Sequence, residues 1–159
     1  MKGKDYRNDY ILFCDVETTG FDWLRNDIIS WSGIVTDSDL NILDKKTVLS
    51  RPENMETWSH DAEKIHGFSY YQARQFQHRK SACIEILNFL KPFKHDKNIP
   101  LRFVDHSVNK FDLMFNHGLF IKSDLQFSMY KVIQNMPQAY ESTIKLGKEL
   151  GFKKNNLKL

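Results

Sequence analysis

Two carboxylates stand two residues apart in the stretch ILFCDVETTG, residues 11–20. The apolar run before them suits a strand, and along a strand alternate side chains share a face. Asp15 and Glu17 therefore project together, with Cα atoms roughly 6.6 Å apart. Like charges held that close raise each other's pKa unless a cation stands between them. A hard divalent ion such as Mg²⁺ relieves the repulsion, because it takes oxygen ligands and keeps waters for chemistry. A bare D-x-E is a weak signal. Thr18, Thr19 and Gly20 directly after it make the motif specific, since two hydroxyls and the amides around a glycine can hold a sugar or phosphate edge.

A further acid lies in FVDHSVNKFDLMFN, residues 103–116. Phe111, Phe115 and Leu119 recur at helical spacing, which places Asp112 in the first turn and about 100° from Phe111 around the wheel. An acid there also suits the helix dipole without any other role. On spacing alone both readings stand.

The elements that must position these acids read in the order βββααβαα. YILFC (10–14) suits a buried strand, Asp27 to Val35 a second and Asn41 to Leu49 a third. TDSDL between the last two has tight-turn chemistry, so an antiparallel meander is expected. Ser59 caps a short helix that Gly67 closes. Tyr71 to Phe93 reads as one long helix packed through Cys83, Ile84, Leu87 and Leu90. LRFV (101–104) is a fourth strand, a helix begins near Asn109, and a last helix runs from Gln138 to Leu150. The order implies an α/β domain with a mixed sheet, a single unit over residues 1–159.

Composition sets the remaining bounds. With 159 residues, 41% of them hydrophobic, the chain can bury a real core. Net charge is +3, too small to declare a nucleic-acid binder. The lysines of the last fifteen residues read as a solvated face and tail. Cys14 and Cys83 are far apart and read as buried free thiols in a reducing compartment. No leader-like core or membrane-length apolar run is present, so a soluble, cytoplasmic protein without a membrane partner is expected. The six histidines show no ligand spacing, and a structural zinc site is not expected. Trp31 and Trp58 read as core or lid residues. Gln75 to Lys80, QFQHRK, reads as a solvated helix face.

DVETTG, then AEKIHGFS, then HSVNKFD resembles, in order and over nearly the whole chain, the DEDD-superfamily 3′–5′ exonucleases. These are the DnaQ-like domains of RNase H-like fold, and the match points to their DEDDh branch. The resemblance implies an α/β sheet with a three-stranded antiparallel meander flanked by helices. It implies hydrolysis of phosphodiester bonds at the 3′ end of single-stranded DNA or RNA, releasing nucleoside monophosphates. Asp15, Glu17 and Asp112 would be catalytic and would hold two divalent ions, Mg²⁺ or Mn²⁺. Thr18, Thr19 and Gly20 match positions at the terminal nucleotide, Ile65 and His66 a segment that packs on its base or sugar, and His106 and Asn109 the second-motif region. A single-stranded 3′ end is the implied partner, with a polymerase or another replication protein beside it.

The family's third motif, a His-x4-Asp pair, does not follow Asp112. Without its acid a second metal is held poorly. The ending GFKKNNLKL resembles the stretch before that motif, so the domain is expected to be truncated on its C-terminal side and impaired by itself. A non-catalytic nucleic-acid-binding module is the alternative, and a small-molecule phosphohydrolase a third.

Overall fold

The computed structural model describes residues 10–93, 101–105, 110–125 and 140–142. Strands β1 (Ile11–Thr18), β2 (Ile28–Thr36) and β3 (Ile42–Leu49) form the expected antiparallel meander. Its β2–β3 turn is closed by Asp37, whose carboxylate accepts the amides of Asp39 and Asn41 at 3.0 and 2.9 Å. Helices α1 (His60–His66), α2 (Tyr70–Ala73) and α3 (Arg79–Leu90) follow, then β4 (Arg102–Asp105), α4 (Phe111–Ile121) and β5 (Tyr140–Ser142). Sheet order is β3-β2-β1-β4-β5, with β4 parallel to β1 and β5 parallel to β4. The sheet is mixed, as expected.

Leu12, Cys14 and Val16 on one face of β1 meet Ile86 of α3 and Phe115 and Leu119 of α4 in the main core. Trp31 completes that core from β2. Its ring lies across Gly33, where a Cβ would stand 2.3 Å from the indole, so a glycine is required there. The helix closed by Gly67 also forms as expected: Ser59 Oγ accepts the Ala62 amide at 3.3 Å, and Gly67 takes φ 77°.

Three expectations are corrected. The helix over 71–93 is broken into α2 and α3. Ser69 and Gln72 build a capping box on α2, while the Arg51 amide donates to the Gln77 carbonyl at 2.7 Å and holds that segment extended. Phe76, edge-on to Phe68 at 5.4 Å, keeps it there. The buried stripe of α3 is Ala82, Cys83, Ile86 and Leu90, with Ile84 47% exposed, because apolar residues flank the true face on both sides. Residues 140–142, inside the expected helix 138–150, form a strand, since the open edge of β4 supplies backbone partners that local propensity does not register. The rest of that segment, with the terminal lysines, lies outside the described residues.

Among the described residues no helix is long and apolar enough to cross a membrane. Cys14 and Cys83 are buried free thiols, and burial pushes Cys83 up to about 11.

Candidate active site

Alternation along β1 sets out the first acids. Cys14, Val16 and Thr18 are buried, while Asp15 is exposed and Glu17 half-buried on the opposite face. The β1–β2 register shifts between Glu17 and Thr18, a bulge that re-aims the strand end carrying the motif. Burial, and then the negative charge of Asp15, holds the Glu17 carboxyl above its usual range.

Asp112 reaches the same strand from α4. Parallel pairing of β1 with β4 ends at Phe13 and Val104, so the Val16 amide lies beyond the last paired residue. Asp112 Oδ1 accepts that amide at 3.1 Å. Burial, followed by the charges of Asp105 and Asp15, raises the Asp112 carboxyl from 3.8 to about 7. The three predicted acids are thus electrostatically linked through Asp15. Among the described residues, however, no three His, Cys, Asp or Glu side chains stand as a ready metal-binding group.

The motif's hydroxyls face inward. Thr18 Oγ1 donates to the Gly20 carbonyl at 2.6 Å. Thr19 Oγ1 accepts the Asp27 amide at 3.0 Å, and the Thr19 amide donates back to the Asp27 carbonyl at 2.9 Å. Both threonines therefore lock the turn, where the sequence suggested nucleotide contact. Gly20 is needed for packing, since a Cβ there would lie 2.7 Å from the Asn26 side chain.

Ile65 is 72% exposed on α1. His66 is only half-buried, yet its Nδ1 accepts the Phe68 amide at 3.0 Å and its ring meets Trp58 edge-on at 5.7 Å. Burial lowers its pKa, with a smaller opposing pull from Glu63, which favours the neutral ring. His106 and Asn109 lie outside the described residues. Arg79 of QFQHRK is no solvated side chain: it pairs with Glu53 at 2.7 Å and Asp27 at 3.4 Å, and donates to the Lys122 carbonyl.

Sequence reasoning missed three residues. Asp105 is a buried acid that closes β4, and an acid at a strand end was the very signal that singled out Asp15. Asp27 binds the amides of Glu53 and Asn54 and the Lys122 ammonium. Asn116 lies between the core residues Phe115 and Leu119, and a polar side chain on that apolar face was its signal.

The chain belongs to the exonuclease family, whose model matches residues 12–156. Its fold is similar to that of exonuclease I. A structure described as an ExoI/SSB-Ct complex superposes with a TM-score of 0.73 at 15% identity, covering 89% of this chain and 30% of that one. A zinc-bound E. coli ExoI–ssDNA complex gives 0.73 at 16% identity, covering 89% and 29%. A product-bound exonuclease I gives 0.71 at 16%, covering 87% and 31%. The chain spans about three-tenths of the length of these proteins. No curated protein sequence matches it.

Proposed function

We propose that the domain is a metal-dependent 3′–5′ exonuclease acting on a single-stranded nucleic-acid end. The observation that carries this reading is the meeting of DVETTG and α4. Asp15 and Glu17 share the open face of β1, and Asp112 bonds to the strand between them, in a chain of the exonuclease family. The donor set is all carboxylate oxygen, which fits Mg²⁺ or Mn²⁺. Mutual repulsion of Asp15 with Glu17 and Asp112 is the electrostatic counterpart of that fit. Asp15, Glu17 and Asp112 would hold the cations. When bound, such ions lower the pKa of an attacking water and neutralise the departing oxygen of a phosphodiester.

The chain's own residues supply the rest. Ile65 and Phe21, 72% and 71% exposed, offer apolar surface on which an unpaired base can rest. The Phe21 ring lies 6.4 Å, centroid to centroid, from that of Phe111, the residue before Asp112, so Phe21 stands beside the helix turn that carries this acid. Thr19 holds the motif's turn through Asp27 and through the Ser59 amide, which donates to the Thr19 carbonyl at 2.8 Å and ties α1 to β1. Similarity to exonuclease I structures with ssDNA and with SSB-Ct supports a nucleic-acid strand and a replication-linked partner.

A second reading, a binding module without turnover, is favoured by the absence, among the described residues, of three acid side chains grouped to hold a metal. A 5′-labelled single strand incubated with the chain and Mn²⁺ separates the two. A ladder shortening from the 3′ end, absent with Asp15→Ala, supports the enzyme. A retarded but intact strand supports the module, and hydrolysis of free nucleotide alone supports a phosphohydrolase.

A further inference from the structure

Asn116 is 2% exposed in the middle of α4, surrounded by apolar core. An amide in that position costs stability unless its groups are bonded. Here they are, and the partners are specific. The Trp31 indole N–H, which can only donate, reaches Asn116 Oδ1 at 2.8 Å and so fixes the amide's orientation. Asn116 Nδ2 then donates to the Asp112 carbonyl at 2.7 Å and lies 3.4 Å from Cys14 Sγ.

These contacts close a circuit. Asp112 bonds to the Val16 amide, Asn116 to the Asp112 carbonyl, Trp31 to Asn116, and Trp31 stands directly across the β1–β2 ladder from Val16. Cys14, the third residue that Asn116 touches, precedes Asp15. The first turn of α4 is therefore tied to both strands flanking the acids, through one side chain that touches none of their carboxylates. Leucine would fill the site's volume without these bonds.

We propose that Asn116 is a positioning residue that fixes Asp112 relative to Asp15 and Glu17, and so sets the affinity of the site for divalent cations. This rests on the metal-dependent reading above. Outer residues that orient ligands typically govern affinity by about 10- to 100-fold.

The test is Mn²⁺ binding to the whole chain by titration calorimetry, alongside thermal unfolding. Asn116→Leu is expected to weaken Mn²⁺ binding about tenfold or more while the protein remains folded at the assay temperature. With turnover present, kcat should fall more than KM for the strand rises. A folded Asn116→Leu that binds Mn²⁺ as the unaltered chain does would overturn the proposal. Should Asn116→Leu not fold, Trp31→Phe decides, since it releases the amide oxygen and leaves Asn116 in place. Weaker binding supports positioning, and unchanged binding removes it. Asp15→Ala separates the two levels. Binding that is lost in Asp15→Ala and kept in both other variants sinks only the role of Asn116. Binding unaffected by Asp15→Ala sinks the metal site itself.

Discussion

The carboxylate of Asp112 accepts the backbone amide of Val16 at 3.1 Å, where β4 no longer supplies a partner. One side chain thereby stands in for a strand and carries a candidate catalytic charge. In chelator, the folded carboxyl holds its proton more tightly than an unfolded one, with a pKa of about 7 against 3.8. Its contribution to stability is complete below pH 3.8 and is lost as pH rises through about 7. Denaturant titrations from pH 4 to 8 should show that decline in the unaltered chain and not in Asp112→Asn. Asp112→Ala, which strands the Val16 amide, should be about 1–3 kcal/mol less stable than Asp112→Asn.

Repulsion from Asp15 works against the metal-free fold and in favour of the loaded one. Asp15 raises both Glu17 and Asp112, in each case after burial. Asp15→Asn should therefore be more stable than the unaltered chain at pH 7.5 in chelator. With Mn²⁺ the order should reverse. Saturation at a hundredfold above Kd adds about 2.7 kcal/mol to a protein that binds the ion, and nothing to one that does not. Thermal unfolding with and without Mn²⁺ reads both signs, and equal responses from the two proteins would count against cation binding at Asp15.

Ile65 and Phe21 are largely exposed, so their removal should leave folding nearly unchanged, within about 0.5 kcal/mol. Binding of a short single strand, measured by fluorescence anisotropy in Ca²⁺ buffer, should weaken by about 1–3 kcal/mol for Phe21→Ala. Ile65→Ala should weaken it less, since no ring is lost. Thr18→Ala should behave oppositely. Its hydroxyl is bonded to the Gly20 carbonyl, so the loss should appear in stability before it appears in binding.

What the sequence made legible was local. Alternation in β1, turn chemistry at Asp37 and capping at Ser59 each act within a few residues, and each forms as read. The helical phase of Phe115 and Leu119 is equally local and equally correct. Missed features depend on distant partners. Strand β5 exists through the edge of β4, and Asn116 bonds to Trp31 across 85 residues of sequence. The α2–α3 break was missed for another reason: RQFQH (74–78) holds no proline or glycine to stop a helix, and the capping box at Ser69 and the bridge to Arg51 interrupt it. Asp15 and Glu17 were readable because one strand carries both. The inward turn of Thr18 and Thr19 was not, because Asp27 and Gly20 claim their hydroxyls only once the loop has folded.

Two glycines should respond differently to alanine. Gly67 has φ 77° and open space where a Cβ would go, so Gly67→Ala costs only the left-handed conformation, about 1–2 kcal/mol. Gly33→Ala drives a methyl into the Trp31 ring and should cost about 3 kcal/mol or more. Near-ultraviolet circular dichroism separates the mechanisms. Gly33→Ala should change the tryptophan signal, since the ring and its bond to Asn116 must shift, and Gly67→Ala should not.

Asp27 should tilt the acid limb of stability the other way from Asp112. Burial pushes its carboxyl up, but the Asn54 amide, Lys122 and Arg79 together outweigh that and leave it below 3.8. A depressed pKa contributes stability above the unfolded value, which is lost as pH falls through the folded one. Acid unfolding below pH 3.8 should therefore be shallower in Asp27→Asn than in the unaltered chain. Asp27→Ala strips a partner from Lys122 and Arg79 together and should cost about 3 kcal/mol at neutral pH. With Asp112 favouring low pH and Asp27 opposing it, their two contributions together should peak near the unfolded carboxylate value of 3.8. Removing either aspartate should move that peak in the direction its own titration sets, upward for Asp112→Asn and downward for Asp27→Asn.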